Sequence, residues 1–216
     1  MKTVSQAAQQ VLERSPYFSD ILSEGIGNIA EIARRIRPEV EQILYENVSD
    51  AAVAMALHRI AKDLQRPVFG TRFLKQLSDI TVRSNLVEYV FPNTPETAQM
   101  IETVSGFSGR KRSAFFTYSR GLHETLLVIS AEFDEEIRTA SKGSKHVHRT
   151  AGLSAITLRL PEESLNVPGV YYPILKALAL EGISFIEVMS VRTELSIIFE
   201  DGNVDRAFSV IKRITA

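Results

Sequence analysis

Ser154-Ala-Ile-Thr-Leu-Arg-Leu-Pro161, then Val167-Pro-Gly-Val-Tyr-Tyr-Pro-Ile-Leu-Lys-Ala-Leu-Ala-Leu-Glu-Gly182, then Ile183-Ser-Phe-Ile-Glu-Val-Met-Ser190 decide how this chain folds. Ile156, Leu158 and Leu160 alternate with Thr157 and Arg159, the period of a strand with one face on a core. Val170, Ile174, Leu175, Leu178 and Leu180 then recur at roughly helical spacing, and Gly182 stands where a helix C-terminus favours positive φ. Ile183 to Met189 reads as a second strand and Glu194 to Glu200 as a third, alternating through Leu195, Ile197 and Phe199. Asp201-Gly202 signals a turn, and Val204 to Ile214 a closing helix with Val204, Ala207, Phe208 and Ile211 inward. Strand, helix, strand, strand, helix is the order of a ferredoxin-like split βαβ unit.

Three stretches of this region resemble an ACT domain, closest to the regulatory tail of aspartate kinases: Val167-Pro168-Gly169-Val170, Gly182-Ile183-Ser184-Phe185-Ile186 and Ser190-Val-Arg-Thr-Glu194-Leu-Ser196-Ile. The resemblance covers about the last third of the chain. It implies regulation rather than chemistry, with small ligands, usually amino acids, held between paired ACT domains. Carried over position by position, the ligand contacts are Asn166, Val167, Gly169 and Val170, with Ile183, Ser184 and Phe185 from the following strand. Backbone physics points to the same turn: free N–H groups at a helix N-terminus favour a carboxylate, and Gly169 lets it approach the main chain. A cation for the ligand is missing nearby. The family's last strand would lie beyond Ala216, so that strand must come from elsewhere in the chain, from a partner subunit, or not at all.

Working outward, Ile80 to Phe91 reads as a strand, Thr94 to Val104 as a helix introduced by Pro95, and Ala114 to Ser130 as a hairpin turning at Arg120-Gly121. Phe133 to Thr139 follows as a short helix. This repeats the C-terminal order, and we read it as a divergent copy. Up to Arg66 the pattern is helical. Ser15-Pro16 opens one helix, Asn28 with Glu31 another over Ile29 to Ile36, Pro38 a short third, and Ser49 or Asp50 a last one with Val53, Leu57, Ile60 and Leu64 on one face. The expected fold class is therefore α+β: a helix-turn-helix-like domain over residues 1–66, a linker over 67–79, an ACT-like βαββα unit over 80–145 and an ACT domain over 146–216.

The 216 residues, 44% apolar with formal net charge −1, describe a globular chain able to bury a core. No run approaches the roughly 18 apolar residues of a membrane span, and the N-terminus lacks the apolar segment of a secretory signal. With no cysteine, disulfides and thiolate chemistry are excluded. A cytoplasmic location is the default expectation. No phosphate loop, nucleophile elbow or HExxH helix occurs, so catalytic residues, metals and cofactors are not expected. His146 and His148 alternate without a third ligand, which favours a strand edge over a metal site.

The helical segment resembles the small N-terminal domain of prokaryotic regulators that carry ACT domains, on Gly25 to Ile36 and Val48 to Ile60. Arg34, Arg35, His58, Arg59, Lys62 and Arg66 are the candidate DNA contacts. Charge opposes this in part, since the eight Lys and Arg of residues 1–66 face nine Asp and Glu. The expected function is a transcriptional regulator sensing an amino acid or similar metabolite, as a homodimer. The alternative is a regulatory subunit that acts on an enzyme of amino-acid metabolism without touching DNA.

Overall fold

The computed structural model describes residues 2–23, 25–64, 71–77, 79–108, 114–142 and 147–215. The chain divides into two compact units between residues 69 and 70.

The first unit is helical: α1 Val4–Glu13, α2 Pro16–Ser23, α3 Ile29–Leu44 and α4 Asp50–Leu64. Thr3 and Gln6 exchange side chain and backbone bonds in a capping box that starts α1. Asn28 accepts the Glu31 N–H at 3.2 Å at the start of α3, and Ser49 accepts that of Ala52 at 3.2 Å at the start of α4. The expected break at Arg37-Pro38 does not occur, and α3 runs through Pro38. Ile32, Ala33, Ile36 and Val40 form one buried stripe across the proline, packing with Val53, Leu57 and Ile60 of α4 and Val11 of α1. That shared burial outweighs the roughly 3 kcal/mol a helix-interior proline costs.

The second unit holds a short helix α5 (Thr71–Leu74) and two runs of one order. The first is β1 Asp79–Pro92, α6 Pro95–Ser108, β2 Phe116–Arg120, β3 Glu124–Ser130 and α7 Asp134–Ala140. The second is β4 His148–Arg159, α8 Tyr172–Leu180, β5 Glu187–Val191, β6 Glu194–Glu200 and α9 Asp201–Thr215. The six strands make one antiparallel sheet in the order β2-β3-β1-β4-β6-β5. Within the span read as a linker, residues 67–70 and 78 lie outside the described residues, while Leu74 is buried among α9 and β4 side chains.

The long first strands explain the missing last strand. The first half of β1, Asp79 to Arg83, pairs with Ala155 to Arg159, which in turn pair with β6. The second half, Val87 to Val90, pairs with His148 to Ala151 on one side and with β3 on the other. Each run thus receives its fourth strand from the first half of the other's first strand. Of the three sources left open above, the chain itself supplies it, and no open edge lies beside β4. The register shifts around Leu86↔Leu153, where Asn85 (φ 59°) and Gly152 (φ 71°) take left-handed backbone.

Helices α6 and α7 cover Val87, Tyr89 and Phe91, while α8 and α9 cover Ile156, Leu158, Leu195 and Ile197. Leu86, Val128, Leu153, Ala155 and Ile198 form a separate buried cluster on the alternate face. Two boundaries differ from the sequence reading. Asp201-Gly202 is the first turn of α9 rather than a loop. Residues 183–186 precede β5 instead of joining it. The cause of the second is a Schellman-type cap: the Ile183 N–H donates to the Leu178 carbonyl at 3.0 Å, and both side chains join the core.

Glu88 shares the alternate face with Leu86, is 5% exposed, and leaves Oε2 without a partner. Burial, then the charge of Glu187, raise its carboxyl above the usual range, opposed by His148. The folded pKa lies above the unfolded one, so this stability is complete below the unfolded value of 4.5 and is lost as pH rises through the folded value. Glu88→Met is expected to raise neutral-pH stability by about 1–4 kcal/mol and to remove that fall, as urea denaturation across pH would show.

Candidate functional site

The strand-to-helix turn of each run is the candidate ligand position. In the second run the turn forms a short 3-10 segment, Glu162–Asn166, then Val167 to Tyr171, with α8 starting at Tyr172. Of the amides expected to be free, that of Val167 donates to Ser164 O at 3.0 Å. Those of Gly169 and Val170 make no backbone hydrogen bond among the described residues. Gly169 is exposed with φ 69°, as are Asn166, Ser184 and Phe185, whereas Val170 packs against the core and Ile183 is 4% exposed inside it. Lys176 Nζ lies 5.5 Å from the Tyr172 ring centroid at the start of α8, a cation near this turn that the spacing reading did not place there.

The corresponding turn of the first run, Asn93-Thr94, was not singled out from sequence, yet it borders a cavity of about 300 Å³. Asn93, Thr94, Thr97, Ala98 and Ile101 line one side, and Tyr118, Arg120 and Thr125 the other. Its frame is held by hydrogen bonds. Asn93 Nδ2 donates to Gly121 O at 2.9 Å, Asn93 Oδ1 accepts from Thr125 Oγ1 at 2.6 Å, and the Asn93 N–H donates to His123 O at 3.0 Å. Thr97 Oγ1 donates to Pro92 O at 2.8 Å, and the Thr97 N–H donates to Thr94 Oγ1 at 3.2 Å, capping α6. Glu96, on the first turn, has its carboxyl held low by its own backbone N–H and then by Thr94. The Arg120 side chain makes no hydrogen bond or ion pair with the described residues. The cleft therefore offers one free guanidinium, one phenol at Tyr118 and an apolar floor at Ile101, a set suited to a small zwitterion or acid. The signal that could have found it was Pro92-Asn-Thr-Pro95 opposite Arg120-Gly121, a capped helix start facing a basic hairpin.

Of the candidate DNA contacts, Arg34 pairs with Glu31 at 2.8 Å, Arg35 lies 5.8 Å from the Phe18 ring centroid, and Arg66 lies outside the described residues. His58, Arg59 and Lys62 are exposed on α4. His148 stands on β4, while His146 lies outside the described residues. Among the described residues no group of three His, Asp or Glu could hold a metal ion, and no helix is long and apolar enough to cross a membrane.

Comparison with solved structures defines the class of fold. The curled antiparallel sheet with its helices resembles that of the ACT domains in the regulatory regions of aspartate kinases. The allosteric aspartate kinase of Clostridium acetobutylicum aligns with a TM-score of 0.53 at 11% identity, over 65% of this chain and 35% of that one. The regulatory subunit of aspartate kinase from Thermus thermophilus aligns at 0.52 and 11% identity, over 64% of this chain and 97% of that one. Its Thermus flavus counterpart aligns at 0.51 and 10% identity, over 65% and 99%. The chain thus spans about a third of the full-length kinase and nearly all of the separate regulatory subunits. No protein-family model and no curated protein matches the sequence.

Proposed function

We propose that this chain is a non-catalytic, ligand-sensing regulator in which tandem ACT-like units bind an amino acid or similar small metabolite. The observation that carries the reading is the cleft between the β1–α6 turn and the β2–β3 hairpin, with Arg120 free to meet a carboxylate. The Asn166–Val170 turn of the second unit, together with Ser184 and Phe185, is the second position for effector in this reading. The repeated strand order, joined reciprocally at β1 and β4, supports duplication as the origin of the two units.

A screen of the twenty amino acids by thermal shift is expected to find one that raises the melting temperature, because a ligand of the folded state adds stability by mass action. Arg120→Gln should weaken that ligand by about 10–100-fold, the worth of a charge-assisted hydrogen bond. If isothermal titration shows unchanged affinity in this variant, the cleft is not the effector site.

The helical unit has two readings. Contact with a protein partner suits its balanced charge, whereas His58, Arg59 and Lys62 on the outer face of α4 favour contact with DNA phosphates. Transcriptional regulation requires the second, and a duplex affinity that does not fall with added salt would remove it.

A further inference from the structure

The helical unit contains a cavity that neither reading uses. It measures about 150 Å³ and is lined by Leu22, Gly25, Gly27, Ile29, His58, Ala61 and Lys62. An apolar cavity of about this volume accepts a molecule the size of benzene. Leu22, Ile29 and Ala61 supply apolar wall, whereas His58 and Lys62 lie one helical turn apart on α4 and are exposed. Neither makes a hydrogen bond or ion pair with the described residues. At the wall, Gly27 is closely packed from behind, where an added Cβ would stand 2.5 Å from Ile21 Cγ2 and 2.9 Å from Ile32 Cδ1. A side chain there would push both isoleucines out of place.

We propose that this cavity binds a short monocarboxylate of about four to six carbons, its chain against Leu22, Ile29 and Ala61 and its carboxylate at Lys62 and His58. The chemistry excludes the near alternatives. Inorganic phosphate would bring several oxygens to an apolar wall that has no donors for them. A diacid would bury its second charge among Leu22 and Ile29. A neutral amide of the same shape would fill the space and forgo the ammonium. The site lies in the helical unit and is independent of the effector cleft. Because His58 and Lys62 are also the α4 groups offered to phosphates, a seated carboxylate and a nucleic acid would compete for them.

The test is titration calorimetry of the full chain with butyrate and 3-methylbutanoate, with butyramide as the uncharged match. The acids are expected to bind, and the amide to bind at least about tenfold more weakly, the minimum loss for a missing charge-assisted contact. Lys62→Gln, at an exposed position that leaves the core intact, should cost a similar factor. Ala61→Leu should abolish binding by filling the space, while Arg120→Gln should leave it unchanged. Absence of butyrate binding to the unaltered chain overturns the proposal. So does binding that survives Lys62→Gln, or binding that is lost with Arg120→Gln, which would place the acid in the effector cleft instead.

Discussion

Cut within residues 143–146 and separated, the two runs of the sheet-bearing unit are expected not to fold, and to recover their structure when mixed. The reason is the reciprocal seam. Without residues 79–83, the edge of β4 from Ala155 to Arg159 has no partner beyond β6, and without 148–151, the second half of β1 loses one of its two neighbours. Leu86, Val128, Leu153, Ala155 and Ile198, all at most 1% exposed, form a single cluster drawn from both runs. Separating them exposes that cluster on both pieces, a loss comparable with the roughly 5–15 kcal/mol that holds a whole domain. Circular dichroism of each fragment and of the equimolar mixture would decide it. A cooperative melt of either piece alone would show that the seam is not needed.

Asp134→Ala is expected to cost the intact chain about 1–4 kcal/mol. The buried Tyr89 hydroxyl donates to Asp134 Oδ1 at 2.5 Å, and Arg149 meets both carboxylate oxygens at 2.9 and 2.7 Å. Alanine leaves the phenol without its carboxylate acceptor, worth about 1–3 kcal/mol, and ends the ion pair, worth up to about 1 kcal/mol where one side is exposed. Asn, which keeps an acceptor, should cost less, and Tyr89→Phe with Asp134→Ala together should cost less than the sum of both. The Tyr89 phenol is pushed up to about 12 by burial and then by Asp134. Arg149, foremost, and Tyr89 hold the Asp134 carboxyl below its usual 3.8, with burial working the other way. A carboxyl with a depressed folded pKa gives stability that is full above the unfolded value and lost as pH falls through the folded one. The gap between native chain and Asp134→Ala should therefore narrow only below pH 3.8, and a gap that narrows near neutrality would contradict this account.

Asp201 occupies the corresponding place in the second run. It opens α9 after β6 as Asp134 opens α7 after β3, and accepts from Ser154 Oγ at 2.5 Å, again a side chain of the run's first strand. Local pattern made much of this legible. The alternation of Ile156, Leu158 and Leu160, the cap at Asn28 and the turn at Gly182 each report a neighbourhood of a few residues, which is what periodicity can see. The seam was not legible, because Leu86 meets Leu153 across 67 positions of sequence, and an asparagine and a glycine in left-handed backbone set the register there. Pro38 misled for a related reason: its local cost is visible in the chain, while the stripe that outweighs it is a property of the packed bundle. The candidate effector turn of the second run rests on likeness in sequence, whereas the cleft in the first depends on Arg120 arriving from a hairpin remote in sequence.

Strand β1 ends at Pro92, beside Asn93 on the cleft wall, and begins at Asp79 as a rib of the opposite half. Its fourteen residues, extended except at Asn85, make a beam of roughly 40 Å. Whatever tightened around a molecule at one end would haul on a member that the far half uses as scaffolding, so the two proposed seats for effector would share a single mechanical axle.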